Sequence, residues 1–120
     1  MHLIKVSEVN HSEKTLTQAV MQITQTLGIY HTELARILNL QSSDIGELAN
    51  LQKIIQKNSA AWLQAEKYIQ MYECLYQNFD GDEAKMFNWL RKDDNELDGA
   101  PLYLMVDELR IEDVIKKICP

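Results

Sequence analysis

Residues 27–48 run Leu27-Gly28-Ile29-Tyr30-His31-Thr32-Glu33-Leu34-Ala35-Arg36-Ile37-Leu38-Asn39-Leu40-Gln41-Ser42-Ser43-Asp44-Ile45-Gly46-Glu47-Leu48, and the spacing within them decides the fold. Two short helices that cross steeply need a small residue at the crossing, a turn that tolerates a left-handed backbone, and apolar side chains that lock the pair. Ala35 is the small residue, Leu34 and Leu38 face inward from the first helix, Leu40 follows the turn, and Ile45 and Leu48 face back from the second. Asn39 holds the turn, and asparagine is the residue after glycine that best accepts a positive φ. The stretch predicts a helix-turn-helix whose second helix starts near Gln41.

Helical period continues on both sides. Upstream, Leu16, Val20, Ile23 and Leu27 recur at helical spacing, with Ser12 as a cap and Gly28 as the stop. Residues 1–11 lack that period and are expected to form a strand-like or frayed arm. Downstream, a short helix is expected over Leu51 to Lys57, then a long central one in which Trp62, Ala65, Ile69, Tyr72, Tyr76 and Phe79 step by three and four until Asp80-Gly81-Asp82 ends it. Ala84, Phe87 and Leu90 mark a sixth helix, Asp93 to Gly99 a polar loop, Pro101 the first turn of a seventh, and Ile111 to Ile118 the last. No stretch carries a strong strand signal, so the expected fold class is all-α. Three segments are expected: residues 1–58 with the arm and helix-turn-helix, 59–80 with the central helix, and 81–120 as a C-terminal helical domain.

Composition bounds the function. A chain of 120 residues, 46% hydrophobic and 25% charged, can bury a core. Its longest apolar stretches, such as Leu102 to Val106, fall far short of the roughly 20 residues that cross a bilayer, and Met1-His2-Leu3-Ile4-Lys5 has no apolar signal core. Two scattered cysteines, Cys74 and Cys119, imply no framework of bridges, so a reducing cytoplasm is the expected compartment and a packed, inert thiol the expected state of Cys74. Net charge is −6, and residues 1–58 carry 5 basic and 5 acidic side chains against 7 and 13 in residues 59–120. Phosphate binding draws on clustered Lys and Arg, so only the first half could face nucleic acid.

The string Leu27 to Leu38 resembles the Xre, or lambda-repressor-like, helix-turn-helix family. From Asp82 onward the sequence resembles the toxin-binding domain of Xre/MbcA/ParS antitoxins: Trp89-Leu90, Asn95, Leu97, Gly99, Pro101-Leu102 and Val114 follow that family's pattern in order. Together the two resemblances cover about Ala19 to Ile118. They imply a two-part antitoxin, in which the helix-turn-helix represses its own operon and the C-terminal part covers the active site of a toxin, often a RES-type toxin that consumes NAD. They also imply a homodimer.

The expected DNA face comprises Arg36, Gln41, Ser42, Ser43, Glu47 and Lys53, with Asp44 close to a phosphate and Lys57 as a further phosphate contact. Base readers are usually Arg, Lys, Gln or Asn, since their bidentate contacts discriminate bases by about 1–3 kcal/mol each. Past Gln41 this helix offers serines and carboxylates instead. An interaction module that keeps the helix-turn-helix shape without operator binding is therefore the rival reading. The expected toxin-binding set is Trp89, Asn95, Leu97, Gly99, Pro101, Leu102 and Met105. Leu102 and Met105 are apolar anchors if exposed, or ordinary core if not. Arg110 stands where the family commonly has glycine between its last two helices, so the final helix is expected to pack differently or to run on from the seventh.

Asp94-x-Glu96-x-Asp98-Gly99 copies the opening of a calcium loop, but Met105 occupies the position that needs a bidentate glutamate. A solvated loop, or a negative surface turned to a basic toxin cleft, fits better. His2, His11 and His31 have no ligand partners at metal-site spacing, and no nucleophile motif or phosphate loop occurs. No cofactor, metal or catalytic residue is expected. Trp62, Tyr68, Tyr72 and Tyr76 cover more than one narrow stripe, so they form either a core shared by the two halves or a homodimer seam.

Overall fold

Local chemistry sets most helix ends in the computed structural model of the chain, which describes residues 3–120; the first two positions of the expected arm, Met1 and His2, lie outside them. The helices are α1 (Val6–Val9), α2 (Glu13–Leu27), α3 (His31–Leu38), α4 (Ser42–Ala49), α5 (Ala60–Asn78), α6 (Glu83–Arg91), α7 (Pro101–Val106) and α8 (Ile111–Ile118). Among the described residues there is no strand, only an isolated bridge between Asp94 and Gly99. None of these helices is long and apolar enough to cross a membrane.

Ser12, Ser59 and Asp82 accept the orphan N–H groups that open α2, α5 and α6. Gly28 and Asn39 close α2 and α3 in the left-handed region, at φ 66° and 60°. Pro101 sits in the first turn of α7, where its missing N–H costs nothing. Helix α8 buries Ile111, Val114 and Ile118 on one side, with Glu112 and Asp113 in its first turn and Lys116 and Lys117 in its last, so its charges oppose the helix dipole.

One continuous core runs from Ile4 to Ile118 and takes side chains from all three expected segments. Helix α5 is its axis, burying Ala65, Tyr68, Ile69, Met71 and Leu75. Thr24 on α2 meets Tyr68 on α5 through a buried hydroxyl pair 2.8 Å apart, and burial raises the Tyr68 phenol above its ordinary value. Burial likewise pushes Tyr72 up to about 12.

Several expectations change. The arm is not strand-like: Val6–Val9 form a helical turn, Ile4 is buried, and the Val6 N–H donates to the Glu73 carboxylate. No helix forms over Leu51 to Lys57; the segment crosses as a loop, anchored where buried Ile55 donates its N–H to Thr17 and Lys57 donates its own to Glu13. Two backbone donors bonded to side chains of α2 leave no continuous ladder for a helix there. Helix α6 buries Met86 and Leu90, while Phe87 is exposed.

Trp62, Tyr68 and Tyr72 are each at most 6% exposed, so they belong to the core of the single chain and not to an outward dimer seam; Tyr76 is half-buried and packs against the same core. Arg110 is unstrained at φ −112°, because the left-handed position falls one residue earlier, on Leu109 at φ 54°. The turn separates α7 from α8, so the last helix does not run on from the seventh. Cys74 is no free thiol: it is bonded to Cys119, across 45 residues of sequence, with Cα atoms 5.3 Å apart.

Candidate partner-binding surface

The outward face of α3 and α4, the pair expected to form a helix-turn-helix, is poor in free positive charge. Gln41, Ser42, Ser43 and Glu47 are exposed on and just before α4, with Gln41 at the cap, where its N–H donates to Asp44. Lys53 is bonded to the Asp44 carboxylate at 2.7 Å, which raises the Lys53 pKa and lowers that of Asp44. Arg36 turns away towards α7, donating to the Val106 carbonyl at 3.1 Å and pairing with Asp107 at 3.4 Å. Lys57 donates to the His11 carbonyl. Each cation expected to meet phosphate thus has an internal partner, and releasing it would offset part of any counterion gain.

The expected toxin-binding residues divide by burial. Leu97, Pro101, Leu102 and Met105 are buried, and Met105 is only 1% exposed, so these positions build the protein's own core and are no anchors for a partner in this conformation. Trp89 is half-buried and packs against that core, Gly99 is half-buried, and Asn95 is exposed. A periodic apolar signal cannot tell an inward stripe from an outward one until a neighbour covers it, and here the neighbours are α3, α6 and α8.

Segment 93–99 closes on its own backbone. Asp94 donates its N–H to the Gly99 carbonyl at 3.1 Å, its carbonyl accepts from Leu97, and its carboxylate accepts from the Glu96 N–H. Buried Leu97 pins the loop from below, and the Lys117 ammonium pairs with Glu96 at 2.6 Å. Asp93, Asp94 and Asp98 line a shallow cleft with Ala100 and Tyr103. Among the described residues no group of three acidic, histidine or cysteine side chains converges as metal ligands do.

Sequence reasoning missed Tyr103. It is 51% exposed on a short helix whose other side chains are buried, and it walls both the aspartate cleft and a second cleft lined by Glu33, Arg91 and Asp107. Arg91 is fixed there: its guanidinium lies 3.6 Å over the Phe87 ring and donates to the Leu27 and Gly28 carbonyls, capping α2. Phe87 also lies against Gly28, where an added Cβ would stand 3.1 Å from the ring. Tyr30 is exposed too. For Tyr103 no signal separated it from its apolar neighbours Leu102, Leu104 and Met105, and Phe87 shares helical spacing with Leu90, so only the packing of α6 and α7 turns both outward. The resulting surface mixes rigid aromatic rings with a carboxylate rim, the chemistry of a polar protein interface.

Compared with known proteins, the chain matches no family model and no curated sequence.

Proposed function

We propose that this chain is an antitoxin-type binding protein that neutralises a cognate toxin by covering a basic cleft on it, with no active site of its own. One observation carries the reading: Tyr103 stands exposed between a cleft lined by three aspartates and a second cleft anchored by Arg91. A tyrosine held on a packed helix loses little side-chain freedom on binding, and the aspartates speed the approach of a positive partner more than they tighten the final complex. The family resemblance supplies the partner class, a toxin of the NAD-consuming RES type; the cytoplasmic place of action rests on the absence of an apolar signal core alone, since the bonded cysteines no longer argue for a reducing compartment. Co-expression with the product of the neighbouring gene, followed by purification and a growth assay, tests it. A stable complex and rescued growth are expected, both lost on Tyr103→Glu.

Autorepression through operator DNA is the weaker part of the antitoxin reading. The internal pairing of Arg36, Lys53 and Lys57 favours a helix-turn-helix retained as scaffold: Arg36 joins it to α7 and thereby to the binding surface.

A further inference from the structure

Helix α8 ends beside the acidic loop and is held at that end by a covalent bond. Cys119 follows its last residue and is bonded to Cys74 on α5; the Asn78 amide donates to the Ile118 carbonyl at 2.7 Å. Lys117 reaches from the same turn to Glu96, at 2.6 Å. Eight residues make a helix that is marginal on its own, so its final turn depends on these attachments. The closed loop of chain between the two sulfurs contains the acidic loop and Tyr103.

We propose that the Cys74–Cys119 bond is a redox-sensitive latch on segment 93–99. Closed, it fixes the last turn of α8 and holds Lys117 against Glu96; opened, it frees that turn and leaves the acidic loop without its cation. Cys119 is the more exposed partner, Cys74 being 8% exposed, so opening starts there. A thiolate of a dithiol reductant attacks Cys119 Sγ, the S–S bond breaks, and Cys74 leaves as a thiolate that takes up a proton. The reductant's second thiol then attacks the mixed disulfide and releases Cys119. The bond gains two electrons and two protons, and the dithiol is oxidised to its disulfide. The device makes no assumption about what binds the loop, and its test needs no partner.

The experiment is amide hydrogen exchange on the full chain with and without dithiothreitol, with iodoacetamide labelling under the same native conditions. Reduction should give two carbamidomethyl groups per chain, faster exchange over 115–119, and an acceleration over 93–98 of about threefold, the size of effect an exposed ion pair can carry. Exchange in α2, α3 and α4 should stay unchanged. In the oxidised protein Lys117→Gln should reproduce the change over 93–98 and leave Cys119 bonded, while Cys74→Ser/Cys119→Ser should match the reduced protein and ignore dithiothreitol. Free thiols before reduction, failure to label, unchanged exchange over 93–98, or a uniform rise in every helix would each overturn the latch.

Discussion

The buried hydroxyl pair of Thr24 and Tyr68 gives a prediction with an internal check. Thr24 Oγ1 lies 2.7 Å from the Val20 carbonyl and 2.8 Å from the Tyr68 hydroxyl, and both side chains are at most 2% exposed. A threonine hydroxyl has a single proton, and the carbonyl can only accept, so that proton goes to Val20 and Tyr68 donates to Thr24. The two halves of the pair are therefore unequal. Tyr68→Phe removes the donor and leaves Thr24 still bonded to Val20; it should cost about 0.5–1.5 kcal/mol. Thr24→Val removes the acceptor and strands a phenolic proton in the core, which should cost about 1–3 kcal/mol. In Thr24→Val/Tyr68→Phe nothing polar is stranded, so the double variant should be more stable than the two losses summed, by roughly 0.5 kcal/mol or more. Urea unfolding at neutral pH, followed by circular dichroism, measures all four proteins. Strictly additive losses, or a Tyr68→Phe loss larger than that of Thr24→Val, would refute the assigned proton direction.

Met105→Asp should unfold the protein instead of selectively abolishing partner binding, since a charge at a site 1% exposed has no partner there; a folded variant by circular dichroism would show that the helix can turn Met105 outward. Acid should destabilise the fold through Asp44, held low by Lys53 and the Gln41 N–H, and Glu112, held low chiefly by Lys67. Lowered carboxylates stabilise the native state above their ordinary values of 3.8 and 4.5 and lose that contribution as pH falls through their lower native values. Tm should accordingly fall as pH drops below 4.5, the ordinary value of the higher of the two, with a shallower fall in Lys67→Gln; an unchanged profile in that variant would dismiss Glu112 as a contributor. Duplex DNA should bind only in the non-specific range of roughly 1–100 μM at physiological salt, and fluorescence anisotropy showing nanomolar, sequence-selective binding would contradict the scaffold role given to α3 and α4.

Elements whose ends are marked by a residue with one physical use were legible in the sequence. Ser12, Gly28, Asn39 and Pro101 each serve the cap or turn expected of them, and the all-helical class followed from the spacing of Leu16 to Leu27 and Trp62 to Phe79. What escaped depends on neighbours distant in the chain. The expected helix at Leu51 to Lys57 lost its backbone donors to Thr17 and Glu13, the aromatics of α5, open between shared core and dimer seam in the sequence, became core once α2, α3 and α8 covered them, and Cys119 met Cys74 only because α8 docks on α5. The candidate surface was half legible: the acidic loop stood out by composition, whereas Leu102 and Met105 masked the residue between them that faces solvent, Tyr103.

The central claim is that Tyr103 and its aspartate rim receive a basic partner. Isothermal titration of the neighbouring gene's product into the wild-type chain, Tyr103→Glu and Leu63→Asp tests it most directly, with circular dichroism confirming that all three are folded; Leu63 is exposed on α5 and lines neither cleft beside Tyr103. Binding should weaken by about thirtyfold or more for Tyr103→Glu, the loss expected of a central interface residue, and stay unchanged for Leu63→Asp. Equal affinity for wild type and Tyr103→Glu, or a loss confined to Leu63→Asp, would contradict it.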